Sequence, residues 1–437
     1  MAYIPNTKQQ QKEMLTALGF SSTSELFRDI PESLRLTKEL AIPKGQAELG
    51  VLRAFSDLAA KNAVFNTVFR GGGAYRHYIP VIVGKIIGKE RLRTAYTPYQ
   101  PEVSQGVLQG IFEFQSMICR LTGLDVANAS MYDGASSAAE AAALCRDRKR
   151  KRTLVSDALN PQITEVVRTY AWASDNQLDV VPTDKGLTDL KCLDEMLTDD
   201  VASLIIQQPN FYGNIEDASA IVNIAHAKGV KVIMSVNPIA TAVLQTPAEC
   251  GADIAVGEGQ PLGIPLSFGG PYVGFMAVTK ELMRKIPGRI VGETTDSKGQ
   301  RAYVLTLQAR EQHIRRETAS SNVCSNQALC AVAAAVYMSA MGPSGMKDAA
   351  MQCYSKAHYL AAELAKAGFK LAYDAPFFHE FVTETPVEAG HLLIHLENHG
   401  ILGGLPLPDG TILWCATEMN TIDEMNKLVS LCKEASK

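Results

Sequence analysis

Four segments carry side chains whose types and spacing could do chemistry. Phe69 to Pro80 holds three consecutive glycines, Gly71 to Gly73, followed by Tyr75, His77 and Tyr78. Residues without a Cβ let the backbone approach a neighbour closely, and the rings behind them supply polar tips. The run is not a nucleotide loop, because Gly-x-Gly-x-x-Gly would follow a strand and open a helix. A tight structural turn is the competing reading. In Thr94 to Pro101, Pro98 and Pro101 stiffen the backbone around Tyr96, Thr97, Tyr99 and Gln100, so their polar ends would be pre-organised. Tyr132 to Ser137 enters a helix through Gly134, Ala135 and Ser136, where free N–H groups and the helix dipole suit an anion. A plain serine N-cap would use the same residues. Gln308 to Glu317 is dense in charge and reads as a solvated helix face with i, i+3 and i, i+4 ion pairs.

Metal and redox chemistry find weaker support. The nine cysteines never form a C-x-x-C pair, which favours reduced and mostly buried thiols. His391, His395 and His399 fall at helical i, i+4, i+8 spacing, but no nearby cysteine completes a familiar site. A polar stripe near a helix end is the plainer reading.

The elements that must position these segments follow from periodicity. Residues 8 to 62 are polar and predict short helices over 10–18, 34–40 and 46–60, an arm with little core of its own. From Pro101 the order becomes regular. A helix carries Val107, Ile111, Phe114, Ile118 and Leu121 on one stripe and closes at Gly123. Helices over 136–146, 161–173, 187–197 and 217–228 alternate with strands over 153–156, 180–181, 201–207, 230–236, 253–256 and 273–278. This predicts an α/β domain around a mainly parallel sheet. A helix over 324–340, ending near Gly342-Pro343, leads to a smaller C-terminal α+β domain. The expected division is an N-terminal arm over 1–70, a large domain over 71–325 and a small one over 326–437.

Composition narrows the function classes. With 437 residues, 46% apolar and 20% charged, the chain has the make-up of a globular protein. A net charge of −4 gives no reason to expect nucleic acid. No apolar run suggests a membrane span, and the N-terminus lacks a secretory signal, so the cytoplasm is the expected compartment.

Together, the runs Gly71 to Pro80, Thr94 to Gly106, Met131 to Ala142, Gln207 to Asp217, Gly251 to Gly274 and Leu305 to Leu329 resemble one family. It is glycine dehydrogenase (decarboxylating), the P-protein of the glycine cleavage system, and within it subunit 1, the α chain of the split enzyme. The resemblance implies a pyridoxal-phosphate-dependent transferase fold of the aspartate-aminotransferase type, fold type I. It implies decarboxylation of glycine with the cofactor as electron sink, then transfer of the aminomethyl group to the lipoyl arm of H-protein.

Such chemistry needs a Schiff-base lysine and a carboxylate against the pyridine nitrogen. In the catalytic subunit the lysine follows a histidine after a Gly-Ala-Asp strand. The equivalent pair here is Gln260-Pro261, and the strand expected to end in the acid reads Ser235-Val236-Asn237-Pro238. Leu159-Asn160-Pro161 also replaces a frequent Val-His-Pro, removing a histidine that could stack on the ring. The resemblance therefore implies a heteromer, α2β2, in which pyridoxal phosphate sits on the lysine-bearing β subunit and the isolated α chain is inactive. Tyr96, Thr97, Tyr99 and Gln100 would be lent to the partner's site, with His77 and Tyr78 near the substrate or the lipoyl channel. Gly134, Ala135 and Ser136 match the phosphate cup, here degenerate or empty. Two alternatives stay open: a non-catalytic scaffold or regulatory homologue, and a self-sufficient enzyme using another lysine such as Lys280.

Overall fold

The computed structural model describes residues 5–36, 38, 40–93 and 97–436. They divide into two units, one up to Val64 and one from Phe65 onward. The first contains helices Lys8–Ala17, held by a Thr7/Gln10 capping box, and Glu48–Ala59, and neither helix has a buried residue. Of the helix expected over 34–40, only a short turn at Glu32–Leu34 forms; Thr37 and Glu39 lie outside the described residues. Residues 65–70 belong with the second unit, where Thr67–Val68 pairs in parallel with Ile401–Leu402.

A seven-stranded sheet forms the centre of that unit. Its strands are β1 (Val126–Ala127), β2 (Arg152–Ser156), β3 (Leu178–Val181), β4 (Val201–Gln208), β5 (Lys231–Val236), β6 (Ile254–Glu258) and β7 (Gly274–Val278). Across the sheet the order is β1-β7-β6-β5-β4-β2-β3. The run from β6 to β3 is parallel, and only β7 runs against its neighbours. Both faces are covered, which explains why β4 is apolar without alternation. Leu204 and Ile206 join one core cluster, while Ile205 between them joins the cluster on the other face.

The helices follow the expected punctuation. Helix α1 (Pro101–Thr122) begins at a proline that needs no N–H there, buries Val107, Leu108, Ile111, Phe114 and Ile118, and ends at Gly123 with φ +73°. A Cβ at Gly123 would lie 2.8 Å from that of Ala248, so the stop signal is also a packing requirement. Helices α2 (Gly134–Cys145) and α3 (Pro161–Ala173) pack against each other, α2 also on strands β4 to β7 and α3 on β3.

Helix α4 (Ala328–Lys366) departs from expectation. The sequence places an end at Gly342-Pro343, but the chain only kinks there, Gly342 taking φ +62°, and helical turns resume beyond it. At 39 residues it is also long and apolar enough to span a membrane, which the apolar runs alone do not suggest. Its Ala331, Ala334, Tyr337, Met346, Ala350 and Cys353 are instead buried in the core. Beyond it, β8 (Glu380–Thr383), β9 (Leu405–Pro406) and β10 (Ile412–Cys415) form a small sheet in the order β8-β10-β9. Helices Ala389–Asn398 and Ile422–Ala435 cover it around Trp414 and Phe381.

Candidate active site

Parallel strands bring their carboxyl ends, and the loops that follow, to one edge of the sheet, where open α/β folds place ligands. Here Gln207 of β4, Ser235 and Val236 of β5 with the adjacent Asn237, and Glu258 of β6 line a cavity of about 320 Å³. The Gly71–Tyr75 segment, Asp133 to Ala135 and Pro261 close it. The pocket therefore stands where the resemblance would put pyridoxal phosphate, and each wall can be tested against that cofactor.

The residues do not fit it. Pro261 faces the cavity without an amine. Gln260 beside it is 2% exposed, and its amide is spent on the backbone: it accepts from the Tyr75 N–H at 2.9 Å and donates to the carbonyls of Tyr75 and Ile264. Asn237, at the place of the ring-facing acid, instead accepts from the N–H groups of Ile239 and Ala240. Asn160, at the place of the stacking histidine, caps α3 and donates to the carbonyl of Gly72.

At the expected phosphate cup, N–H groups meet carboxylates of the chain itself. Glu258 accepts from the Gly134 N–H at the start of α2 (3.0 Å), and from the N–H groups of Gln260 (3.0 Å) and Val273 (3.3 Å). Asp133 takes the Ser136 N–H at 2.7 Å, completing a capping box with the Ser136 hydroxyl. Two carboxylates of the chain thus take the N–H groups of Gly134 and Ser136, which an anion would otherwise meet. Burial pushes the Glu258 carboxyl up to about 7, with its three N–H partners only partly opposing. Gly134 and Ala135 line the cavity, whereas Ser136 is absorbed by its cap.

The glycine-rich loop receives a similar explanation. A Cβ on Gly71 would stand 2.2 Å from Glu380 Oε1, and the Gly72 N–H donates to that oxygen at 2.7 Å. Tyr75 donates its hydroxyl to the other carboxyl oxygen at 2.7 Å. The loop wraps a buried acid of β8, and burial pushes that acid up to about 7. Behind it, His379 packs against Tyr75 with ring centroids 4.7 Å apart, and burial holds its imidazole down to about 3. His77 is 7% exposed and bonded through Nδ1 to Glu418 at 2.8 Å; Tyr78, half exposed, donates its N–H to the same carboxylate at 2.6 Å.

The other predicted segments meet away from this cavity. Tyr96 lies outside the described residues. The Thr97 and Ser325 hydroxyls are 3.1 Å apart. Tyr99 is 56% exposed, yet one face of its ring rests on the fully buried Arg289 guanidinium, 4.3 Å from the centroid. Gln100 is exposed at the start of α1. Arg289 Nε in turn lies 3.5 Å from Glu311 Oε2, which joins this loop to the charged segment. That segment is not one solvated helix. Its turns at Gln308–Arg310, Gln312–Arg315 and Arg316–Thr318 are broken by a positive φ at Arg316, and its Glu311 points inward to Arg289 rather than along a helix face. Local spacing could not show this, because the partner is 22 residues away.

Two remaining candidates are also placed. Lys280 follows β7 at the edge opposite the cavity, since β7 is antiparallel and pairs Gly274 with Glu258 but Val278 with Ile254. It cannot replace the missing amine. His391 and His395 lie on helix Ala389–Asn398 with His399 at its cap, and the rings of the last two are 4.6 Å apart. Sequence reasoning missed Glu258, Glu380 and Arg289. An acid between two glycines at the end of an apolar strand was a usable sign for the first; nothing local marked the others.

Solved structures of low identity share the architecture. A sphingosine-1-phosphate lyase of Burkholderia pseudomallei superposes with a TM-score of 0.67 at 15% identity, covering 93% of this chain and 94% of that one. A cysteine desulfurase of Thermococcus onnurineus gives 0.62 at 14%, covering 84% and 94%. These define the class: the fold is that of the type I pyridoxal-phosphate-dependent enzymes. A crystal structure of glycine decarboxylase (P-protein) of the glycine cleavage system, in inhibitor-bound form, matches far more closely, with a TM-score of 0.94 at 39% identity over all of both chains. Residues 1–432 match the family model for the glycine cleavage system P-protein. Probable glycine dehydrogenase (decarboxylating) subunit 1 of Desulfitobacterium hafniense is 48% identical over 98% of this chain and 99% of its own length. The corresponding protein of Moorella thermoacetica is 49% identical over 98% of each. The chain belongs to the glycine cleavage system P-protein family.

Proposed function

We propose that this chain is the cofactor-free half of a glycine decarboxylase. It acts with a second, lysine-bearing β subunit that holds pyridoxal phosphate, in an α2β2 assembly of the cytoplasm. The assembled enzyme decarboxylates glycine, releases CO2 and passes the aminomethyl group to the lipoyl arm of H-protein. No step of that chemistry is assigned to the cavity of this chain, because its residues do not fit the cofactor. What this chain supplies is position: Thr97, Tyr99 and Gln100, with Tyr96 before them, complete the partner's site, and the half-exposed Tyr78 lies toward the substrate or the lipoyl channel, while His77 is buried behind it.

The observation that carries the reading is a contrast. At the expected phosphate cup the Gly134 N–H is taken by Glu258, whereas Tyr99 stays exposed on a guanidinium that fixes its ring. A scaffold or regulatory homologue would have no use for an oriented phenol at its surface. The test is glycine–bicarbonate exchange by the purified chain, alone and with the candidate β subunit. Exchange is expected only from the pair, and Tyr99→Ala is expected to lower it with assembly intact. Activity from the isolated chain would overturn the proposal. Full activity of the Tyr96, Tyr99 and Gln100 variants in the assembled enzyme would favour the scaffold.

A further inference from the structure

Behind the glycine-rich loop, outside the cavity just described, three side chains from distant parts of the sequence converge. His77 comes from the segment leading to Pro80, Cys353 from the second half of α4, and Glu418 from the turn after β10. Glu418 Oε2 lies 2.8 Å from His77 Nδ1 and 3.2 Å from Cys353 Sγ, and the three donor atoms all fall within 4.8 Å of one another. The side chains of His77 and Glu418 are 2% and 12% exposed, and Cys353 is fully buried.

We propose that His77, Cys353 and Glu418 form a binding site for a single divalent cation of the zinc class. One nitrogen, one sulfur and one carboxylate oxygen is a donor set that zinc accepts at about 2.0, 2.3 and 2.0 Å. Around a tetrahedral ion such donors stand about 3.3 to 3.5 Å apart, so the two pairs that include Glu418, now at 2.8 and 3.2 Å, would open by about 0.5 Å or less, and the third pair already lies within 4.8 Å. The charges also close. A thiolate and a carboxylate balance a dication, leaving a neutral complex in a buried place. Two bonds to hydrogen change: the Cys353 S–H, which now donates to Glu418, is replaced by a sulfur–metal bond with its proton leaving to solvent, and His77 shifts its ring proton from Nδ1 to Nε2 so that Nδ1 offers a lone pair.

Neighbouring groups bear on the site. The Tyr337 hydroxyl is buried and bonds nothing among the described residues. The Lys356 ammonium donates to the Glu418 carbonyl at 2.5 Å, and the Tyr78 N–H occupies the other carboxylate oxygen, so Glu418 is held in place. A bound ion would tie the glycine-rich loop, α4 and the turn after β10 together at one point.

The test uses the full chain, stripped with a chelator and titrated with Co2+ and then Zn2+. One ion per chain is expected, with a sulfur-to-cobalt charge-transfer band and the visible bands of tetrahedral cobalt. Cys353→Ser should abolish the charge-transfer band, and both Cys353→Ser and Glu418→Gln should weaken Zn2+ binding at least about tenfold. Cys324→Ser, which alters the exposed thiol, should change neither. If Cys353→Ser does not fold, Glu418→Gln decides alone, because it keeps the shape of the side chain. No stoichiometric ion, or binding undiminished in Glu418→Gln, would overturn the proposal.

Discussion

Replacing Glu258 by glutamine tests the central claim, that a carboxylate of the chain occupies the phosphate cup. Burial pushes this acid from an ordinary 4.5 up to about 7. At about 1.4 kcal/mol per tenfold change in proton affinity, that difference is worth roughly 3 kcal/mol. The sign follows from which state holds the proton more tightly. Here the folded state does, so the contribution to stability is fully present below pH 4.5 and is lost as pH rises through 7. Glutamine does not titrate, and its altered hydrogen bonds cost the same at every pH. Urea denaturation of the isolated chain should therefore show the Glu258→Gln variant gaining on the wild type by roughly 2 to 3 kcal/mol between pH 5 and pH 8. Parallel stability curves across that range would refute the argument, since they would mean that Glu258 titrates alike folded and unfolded.

Three other outcomes are expected. Pro261→Lys alone should not bind pyridoxal phosphate, while adding Glu258→Ser should tighten binding at least tenfold; a unit negative charge held about 4 Å from a phosphate costs about 4 kcal/mol at an effective dielectric of 20. Absorbance near the aldimine band checks this, and equal binding by both variants would count against the plugged cup. Gly71→Ala should destabilise the fold by about 1 to 3 kcal/mol, because its Cβ would collide with Glu380, and an unchanged melting temperature would contradict that packing. Arg289→Gln should cost about 3 kcal/mol, as Glu311 loses its buried counter-charge, and should lower exchange by the assembled enzyme because the face under Tyr99 is removed. Retention of both stability and exchange would show that Arg289 does not anchor this loop.

The sequence already carries the order and kind of the elements in the second unit. Alternating apolar strands and amphipathic helices, with Pro101 and Gly123 as start and stop, are local signals, and the local chain obeys them. It also determined the absences, for a missing amine at Pro261 and a missing acid at Asn237 need no coordinates to be read. Gly342-Pro343 misled, because proline forbids one hydrogen bond but not the resumption of a helix that tertiary packing stabilises.

What stands in place of the missing groups emerges in the folded chain alone. Glu258 faces the start of α2 from 124 residues away, Glu380 sits under glycines more than 300 residues before it, and Arg289 turns Glu311 inward from its charged run. Each is a pairing of a buried polar group with a partner that the folded chain alone brings near. Burial makes an unpaired donor or acceptor costly, so these groups must find partners, but it leaves no mark on the neighbouring sequence. Spacing along the chain reports helices and strands because their bonds are local, whereas the content of a pocket is set by contacts that have no period.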